Sequence, residues 1–263
     1  MSNMLRFQFR RLYRKPGSYI FLALVVIITL LTLSELYLVG GYSFYMPNSY
    51  PSAGNLLTLD WSIVYCFCNM DFLVNILIAI FIAIFVSEDK VKGTIKNIYS
   101  KGYPRTNIFF SKYLTAVSVP VIFYFLILFI SFVYVSIRGS GYLAFNGSAG
   151  NSVTILLCMF LRYISVSTFY YMLSELTSST GGAIALNIFF PYILRFIFGI
   201  IVINIEPPDF LVNLISDFLF STAYAVTTIP DSNITETIIS SIVFTLLYGG
   251  LSLLITVKKQ IKN

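Results

Sequence analysis

One segment of the sequence, SEDKVKGTIKNIYSKGYPRTNIFFSK at residues 87–112, is rich in charge and lies between two long apolar runs. It carries six basic side chains in a chain that has 17. Such cations bind the anionic headgroups of lipids, and a short charged segment between two apolar runs can also offer a contact surface to a soluble protein. Binding at the membrane surface is therefore the chemistry that this segment offers.

The spacing of apolar residues predicts the shape of the segment. Four of them fall at i, i+4, i+7 and i+8, which places them along one face of a helix. They are Val91, Ile95, Ile98 and Tyr99. The helix is predicted to end near Lys101, because Gly102 suits a C-cap and Pro104 cannot continue a helix. Two interpretations stay open: the stripe lies in lipid, or it docks into a cleft on a cytoplasmic protein.

A second set of polar residues lies inside the apolar runs. An ionisable side chain at mid-membrane costs roughly 2.5–3.5 kcal/mol, so it faces protein or water and has a partner. Asp71 is predicted to pair with Arg162 or Arg195, and the two other members of the set carry amides. The set is Asp71, Asn75, Arg162, Asn187 and Arg195. These side chains either bind neighbouring helices together, which the sequence favours, or line a polar cavity.

Composition defines the class of protein to which these residues belong. The chain of 263 residues is 57% hydrophobic and 11% charged, whereas an ordinary globular domain carries about 25% charged residues. We therefore predict an all-α integral membrane protein. Six stretches reach the roughly 20 apolar residues that a bilayer requires. They are 18–39, 62–87, 113–137, 152–174, 181–204 and 237–257. Residues 1–263 are predicted to form a single membrane domain.

The distribution of basic residues predicts the orientation. Five precede the first span, six lie in the 88–112 loop and three lie in the tail, so 14 of the 17 fall on one side. By the positive-inside rule both ends of the chain are cytoplasmic. The net charge of +6 is thus a topology signal reinforced by anionic lipid, and it indicates no nucleic-acid site. The first apolar run is also too long for a signal peptide.

The segment before the last span has the opposite charge. Residues 205–236 contain five acidic side chains and no basic one. Phe210, Leu211, Leu214, Phe218 and Leu219 are spaced like one face of a helix, which predicts an amphipathic helix at the outer surface. Its acidic residues either attract cationic substrates or are merely tolerated outside, and the second interpretation is favoured.

Several residues of the 87–112 segment resemble a known loop. They are Glu88, Gly93-Thr94-Ile95-Lys96-Asn97, Ser100-Lys101-Gly102, Arg105 and Ser111-Lys112. This string is similar to the loop after the second span in permeases of ABC-2 type transporters, especially small bacterial drug and peptide-antibiotic exporters. The resemblance extends over essentially the whole chain. It implies six spans, an amphipathic N-terminal helix, a coupling helix between spans two and three, and an outer helical segment between spans five and six.

The resemblance also implies partners. The chain has no G-x-x-x-x-G-K-[ST] motif, the phosphate cradle of many ATPases, so it is not expected to be an enzyme or to bind a cofactor. ATP and Mg would be bound by two copies of a separate ABC ATPase subunit, and a second permease, identical or similar, would complete the pump. The implied contact residues for the ATPase are Glu88, Val91, Gly93, Thr94, Ile95, Ile98, Tyr99, Gly102 and Arg105.

Export of an antibiotic, an antimicrobial peptide or another amphipathic compound across a bacterial plasma membrane is the function that the resemblance implies. The polar residues within the spans are then candidates for the substrate path. The alternative is a secondary transporter or channel without an ATPase, which also needs buried charges. No clear internal repeat supports that alternative. A protease or metal hydrolase is disfavoured because the chain has no histidine.

Overall fold

The computed structural model of the chain describes residues 2–38, 59–93, 102–138, 149–205 and 234–259. Over these ranges it forms seven α-helices and no strand. The helices are α1 (Ser2–Arg14), α2 (Pro16–Leu38), α3 (Leu59–Val91), α4 (Arg105–Arg138), α5 (Ala149–Leu176), α6 (Thr180–Ile205) and α7 (Ile234–Lys259). The predicted outer helix falls within 206–233, outside the described residues.

Each predicted span lies within one of the helices α2 to α7, apart from residue 39, and the helices extend beyond the predicted ends by up to eight residues, at the start of α4. Four helical segments are long and apolar enough to cross a membrane. They are Pro16–Ser34, Arg105–Tyr134, Leu156–Leu176 and Ile238–Lys258. Over the described ranges the chain is all-helical, consistent with a helical membrane protein, while the count of six spans and the cytoplasmic position of both ends stay predictions.

The first helix is amphipathic, as its sequence predicts. Met4, Gln8 and Leu12 follow at intervals of four and are buried, because this face packs against α4. Arg6, Arg10 and Arg14 occupy the exposed face at the same interval. Helix α1 stops at Arg14, since a residue before proline is disfavoured in helical geometry and Pro16 then starts α2.

Helix α3 runs beyond its predicted span and ends in a glycine turn. Val91 is its last residue, and the Lys92 amide donates to the Glu88 carbonyl at 2.9 Å. Gly93 then adopts a φ of 64°, the left-handed conformation that ends many helices. A single helix from Glu88 to Lys101, as the apolar stripe predicted, is therefore wrong at Gly93. Val91 belongs to α3, and residues 94–101 lie outside the described part of the chain.

The centre of the fold is α3. It packs against α2, α4, α5 and α6, while α7 packs mainly against α5. Ile78 and Ile82 of α3 are fully buried, as are Phe123 and Ile127 of α4. A movement at the C-terminal end of α3 would therefore displace several helices packed against it.

Candidate functional site

Five of the nine residues predicted to contact a partner, Gly93 among them, lie at the end of α3 or before and at the start of α4. Val91, the final residue of α3, is 60% exposed. Arg105 is exposed at the start of α4, and Gly102 before it has a φ of 77°, consistent with a cap residue. Glu88 is partly buried one turn before the end of α3. The remaining four, Thr94, Ile95, Ile98 and Tyr99, fall outside the described residues.

Beneath this surface lies a group of charged side chains, called the charge cluster below. It collects residues from the end of α1, the link to α2, the end of α3, the start of α4 and the end of α5. Its members are Arg11, Lys15, Glu88, Asp89, Lys90, Lys112 and Glu175. Consecutive helix residues project about 100° apart, so the three members on α3 reach different neighbouring elements.

One half of the charge cluster joins α3 to the first two helices. Arg11 donates from Nη2 to Glu88 Oε2 at 2.9 Å and from Nη1 to Asp89 Oδ1. Lys15 Nζ also pairs with Glu88. The ring of Phe85 lies 5.4 Å from Arg11 Cζ and 5.9 Å from Lys15 Nζ, within the range of cation–π attraction. The linker between α1 and α2 is thereby tied to the end of α3.

The other half joins α3 to α4 and α5. Glu175 lies between two ammonium groups, with Lys90 Nζ at 2.9 Å and Lys112 Nζ at 3.6 Å from its carboxylate oxygens. Lys112 is only 5% exposed in its side chain, lies 3.7 Å from Asp89, and donates to the Val86 carbonyl at 2.8 Å. Since buried charges require partners, these contacts keep the end of α3, the start of α4 and the end of α5 together.

The pKa of Lys15, a member of the charge cluster, is lower than that of a lysine in water. Burial and, to a smaller extent, the positive charge of Arg11 lower the pKa of Lys15 from 10.5 to about 8. Asp89 acts in the opposite direction and only partly compensates. The unfolded chain would keep the Lys15 proton up to about pH 10.5. Raising the pH from about 8 towards 10.5 therefore favours the folded state at this group.

Lys15 is expected to react with an amine-acylating reagent with a half-maximal rate near pH 8, because the neutral amine is the nucleophile. Peptide mass spectrometry after short exposures between pH 6 and 11 measures this profile. Arg11→Gln removes one cause of the lowered pKa, so the midpoint of the Lys15 profile in this variant should be higher than in the wild type. A wild-type midpoint near 10.5 would contradict the buried environment of Lys15.

One candidate for the substrate path, Asn187, joins helices to one another. It is 1% exposed and lies on α6. Its amide donates to the Ala79 carbonyl of α3 at 3.1 Å and to Ser174 Oγ of α5 at 2.9 Å. Ser174 in turn donates to the Tyr170 carbonyl at 2.7 Å. These contacts support the interpretation that Asn187 binds neighbouring helices.

The structure describes the side chains of two of the other four candidates for the path. Arg162 is buried on α5, whereas Asn75 is half-buried on α3. Asp71 lies in α3 and Arg195 in α6. The side chains of these last two are outside the described part, so their predicted pairing stays a prediction.

The sequence reasoning did not single out Arg11, Asp89 or Glu175, yet it contained a signal for two of them. Of 11 acidic residues, only Glu88, Asp89 and Glu175 fall on the predicted cytoplasmic side. All three belong to the charge cluster. Acidic residues on a side dominated by basic ones therefore mark this cluster.

Within the described ranges, no group of three or more His, Cys, Asp or Glu residues could hold a metal ion.

Comparison with known proteins agrees with this architecture. No curated protein matches the chain. A family profile described as ABC-2 family transporter protein matches residues 62–258, which include α4, α5 and α6 in full and most of α3 and α7. The match covers well over half of the sequence and contains every acidic member of the charge cluster. The chain therefore belongs to the ABC-2 family of transporter proteins.

Proposed function

We propose that this chain is the permease of an ATP-driven exporter, and that the end of α3 and the loop after it receive movement from an ATPase subunit. One observation carries the proposal. The exposed Val91 and the Gly93 turn lie directly on a buried charge cluster that joins α1, α3, α4 and α5. A surface that transmits movement from a partner must be attached rigidly to the helices, because a loosely attached loop would move without displacing them.

The proposed assembly has four subunits, and membership of the family supports an ATPase partner. Two ATPase subunits would bind ATP and Mg, and a second permease, identical or similar, would face this one. Both ends of the chain would lie in the cytoplasm of a bacterial cell, as the 14 basic residues on one side indicate. The proposed cargo is an antibiotic, an antimicrobial peptide or another amphipathic compound. The acidic residues in 205–236 would suit a cationic cargo.

Purification of the tagged chain from its native membrane tests the proposal. A subunit that contains a phosphate-binding loop should co-purify, and the complex should hydrolyse ATP in a vanadate-sensitive manner. Val91→Asp places a charge on the exposed apolar end of α3, so it should weaken retention of that subunit while the chain remains inserted. Wild-type chain that carries no ATPase, yet supports ion or solute flux in vesicles, would establish the alternative of a secondary transporter or channel.

A control comes from an exposed apolar side chain that lies away from the end of α3. Phe129 on α4 is 66% exposed, but it lies deep in an apolar candidate span and away from the helix end. Phe129→Leu should retain the ATPase at the wild-type level. Equal retention by Val91→Asp and Phe129→Leu would count against the end of α3 as the contact surface.

A further inference from the structure

Lys90 forms an unusual contact with the end of another helix. Its Nζ lies 3.1 Å from the carbonyl oxygen of Ser174, 3.0 Å from that of Glu175 and 3.1 Å from that of Thr177. The last carbonyls of a helix have no partners within it and form the negative end of its dipole. Lys90 of α3 therefore caps the C-terminus of α5 from outside, while its ammonium also pairs with the Glu175 carboxylate.

The cap extends from α5 to the start of α6. Thr177 begins the short turn between the two helices, and the turn closes through the Ala183 amide, which donates to the Ser179 carbonyl at 3.0 Å. Ser174 makes a second link, because its carbonyl accepts from Lys90 while its hydroxyl accepts from Asn187 of α6. Both helices are thus connected to one side chain of α3.

Lys90 also lies next to the point where the chain leaves α3. The Gly93 amide donates to the Lys90 carbonyl at 3.3 Å, so the backbone of Lys90 forms part of the glycine turn. A displacement of that turn moves Lys90 first, and its ammonium is bound to the α5–α6 turn. The route from Gly93 to α6 through space is therefore far shorter than the route along the chain.

We propose that Lys90 and Glu175 are positioning residues that transmit movement of the loop after α3 to α5 and α6. This inference rests on the proposed function, in which that loop receives the movement. Lys112 supports the pair, because it fixes Glu175 at 3.6 Å and binds the Val86 carbonyl of α3 at 2.8 Å. The membrane helices that respond are then not only α3 and α4, which flank the loop, but also the pair that carries Arg162 and Asn187.

A double-mutant cycle tests the link without any partner protein. Gly93→Val perturbs the turn, because a β-branched residue disfavours the left-handed conformation. Hydrogen exchange of amides 178–183 reports the response of the α5–α6 turn. We expect Gly93→Val to change this exchange about threefold when Lys90 is present, and to leave it within error when Lys90→Met is also present. An equal change in both backgrounds would overturn the inference.

Two further variants separate transmission from folding. Lys92→Met is the matched control, because Lys92 is only two residues away but 64% exposed and paired with Glu88 on its own helix. It should leave the response to Gly93→Val intact. Lys90→Arg keeps a cation and several donors, so it should restore part of the response. If Lys90→Met does not fold, Glu175→Gln replaces it in the cycle. Lys90 then keeps its three carbonyl contacts, so the response should be reduced and not abolished, and an unreduced response would overturn the inference.

The assembled transporter provides the second measurement. In the complex with its ATPase, trapping by ATP and vanadate should change exchange at 178–183, and Lys90→Met should abolish that change while the ATPase stays bound. An unaltered change in Lys90→Met overturns the inference and leaves the proposed function standing. Absence of any ATPase on the wild-type chain contradicts the proposed function instead, and the double-mutant cycle still decides whether Lys90 connects the two turns.

Discussion

Replacing Glu175 by leucine is expected to destabilise the folded chain by about 3–5 kcal/mol, the cost of leaving buried charges without their partner. Glu175 lies between Lys90 at 2.9 Å and Lys112 at 3.6 Å, and its side chain is only 6% exposed. Lys112 is as deeply buried and would keep Asp89 at 3.7 Å as its carboxylate partner. Thermal unfolding in detergent micelles, followed by far-ultraviolet circular dichroism, measures the loss.

A second substitution shows whether the loss comes from charge or from packing. In Glu175→Leu with Lys112→Met, one cation is removed together with the anion, while Lys90 keeps its three carbonyl partners. Replacing both members of a buried pair is often close to neutral. The double variant should therefore regain a large part of the stability that Glu175→Leu loses.

Lys92, an exposed residue beside the charge cluster, provides the control. Lys92→Met removes a pair with Glu88 that lies largely in solvent, and exposed pairs contribute about 0–1 kcal/mol. Its unfolding temperature should stay close to that of the wild type. If Glu175→Leu behaves in the same way, the carboxylate does not hold the helix ends together.

The helices of this protein could be predicted from sequence because each corresponds to a pattern of neighbouring residues. The apolar runs predicted the existence and the central residues of α2 to α7, since roughly 20 apolar residues in a row have few structural alternatives, while the helix ends differ from the predicted ones by up to eight residues. In α1, which the resemblance implied, the buried residues stand at intervals of four, a local pattern typical of an amphipathic helix. Local patterns determine elements of this kind without reference to the rest of the fold.

The turn at Gly93 could not be predicted in this way. The sequence offers two glycines, Gly93 and Gly102, and Pro104 made the second the more obvious cap. Both adopt positive φ in the structure. Val91 and Ile95 stand four apart, so periodicity alone continued the helix across a residue whose conformation interrupts it. A stripe of apolar residues indicates a shared face only if the backbone between them stays helical.

The charge cluster was beyond local prediction for a different reason. Lys90 and Lys112 were counted as cytoplasmic charges that fix orientation, yet both are largely buried and bind carbonyls and carboxylates. Their partner Glu175 is more than 60 residues away along the sequence. Pairing over such a distance depends on how the helices pack. A single sequence reports the charges but not which of them meet.

Replacing Gly93 by valine is expected to weaken binding of the ATPase on the order of tenfold, because the left-handed conformation costs a branched residue about 1–2 kcal/mol and 1.4 kcal/mol is a factor of ten. Gly93 has a φ of 64°, and an added Cβ would meet no atom of the described residues within 4 Å. The backbone conformation, and not contact of the Cβ, is therefore the expected cause. Gly93→Trp should act in the same direction.

The physical reason lies in the direction in which the chain leaves α3. A residue that prefers the right-handed region would let α3 continue beyond Val91, so the following residues would start from a different angle. Asparagine tolerates the left-handed conformation, so Gly93→Asn should lose no more than about twofold. Retention of the ATPase on tagged chain over a titration of salt measures all three variants. Equal losses in Gly93→Val and Gly93→Asn would show that the glycine turn does not set the position of the loop.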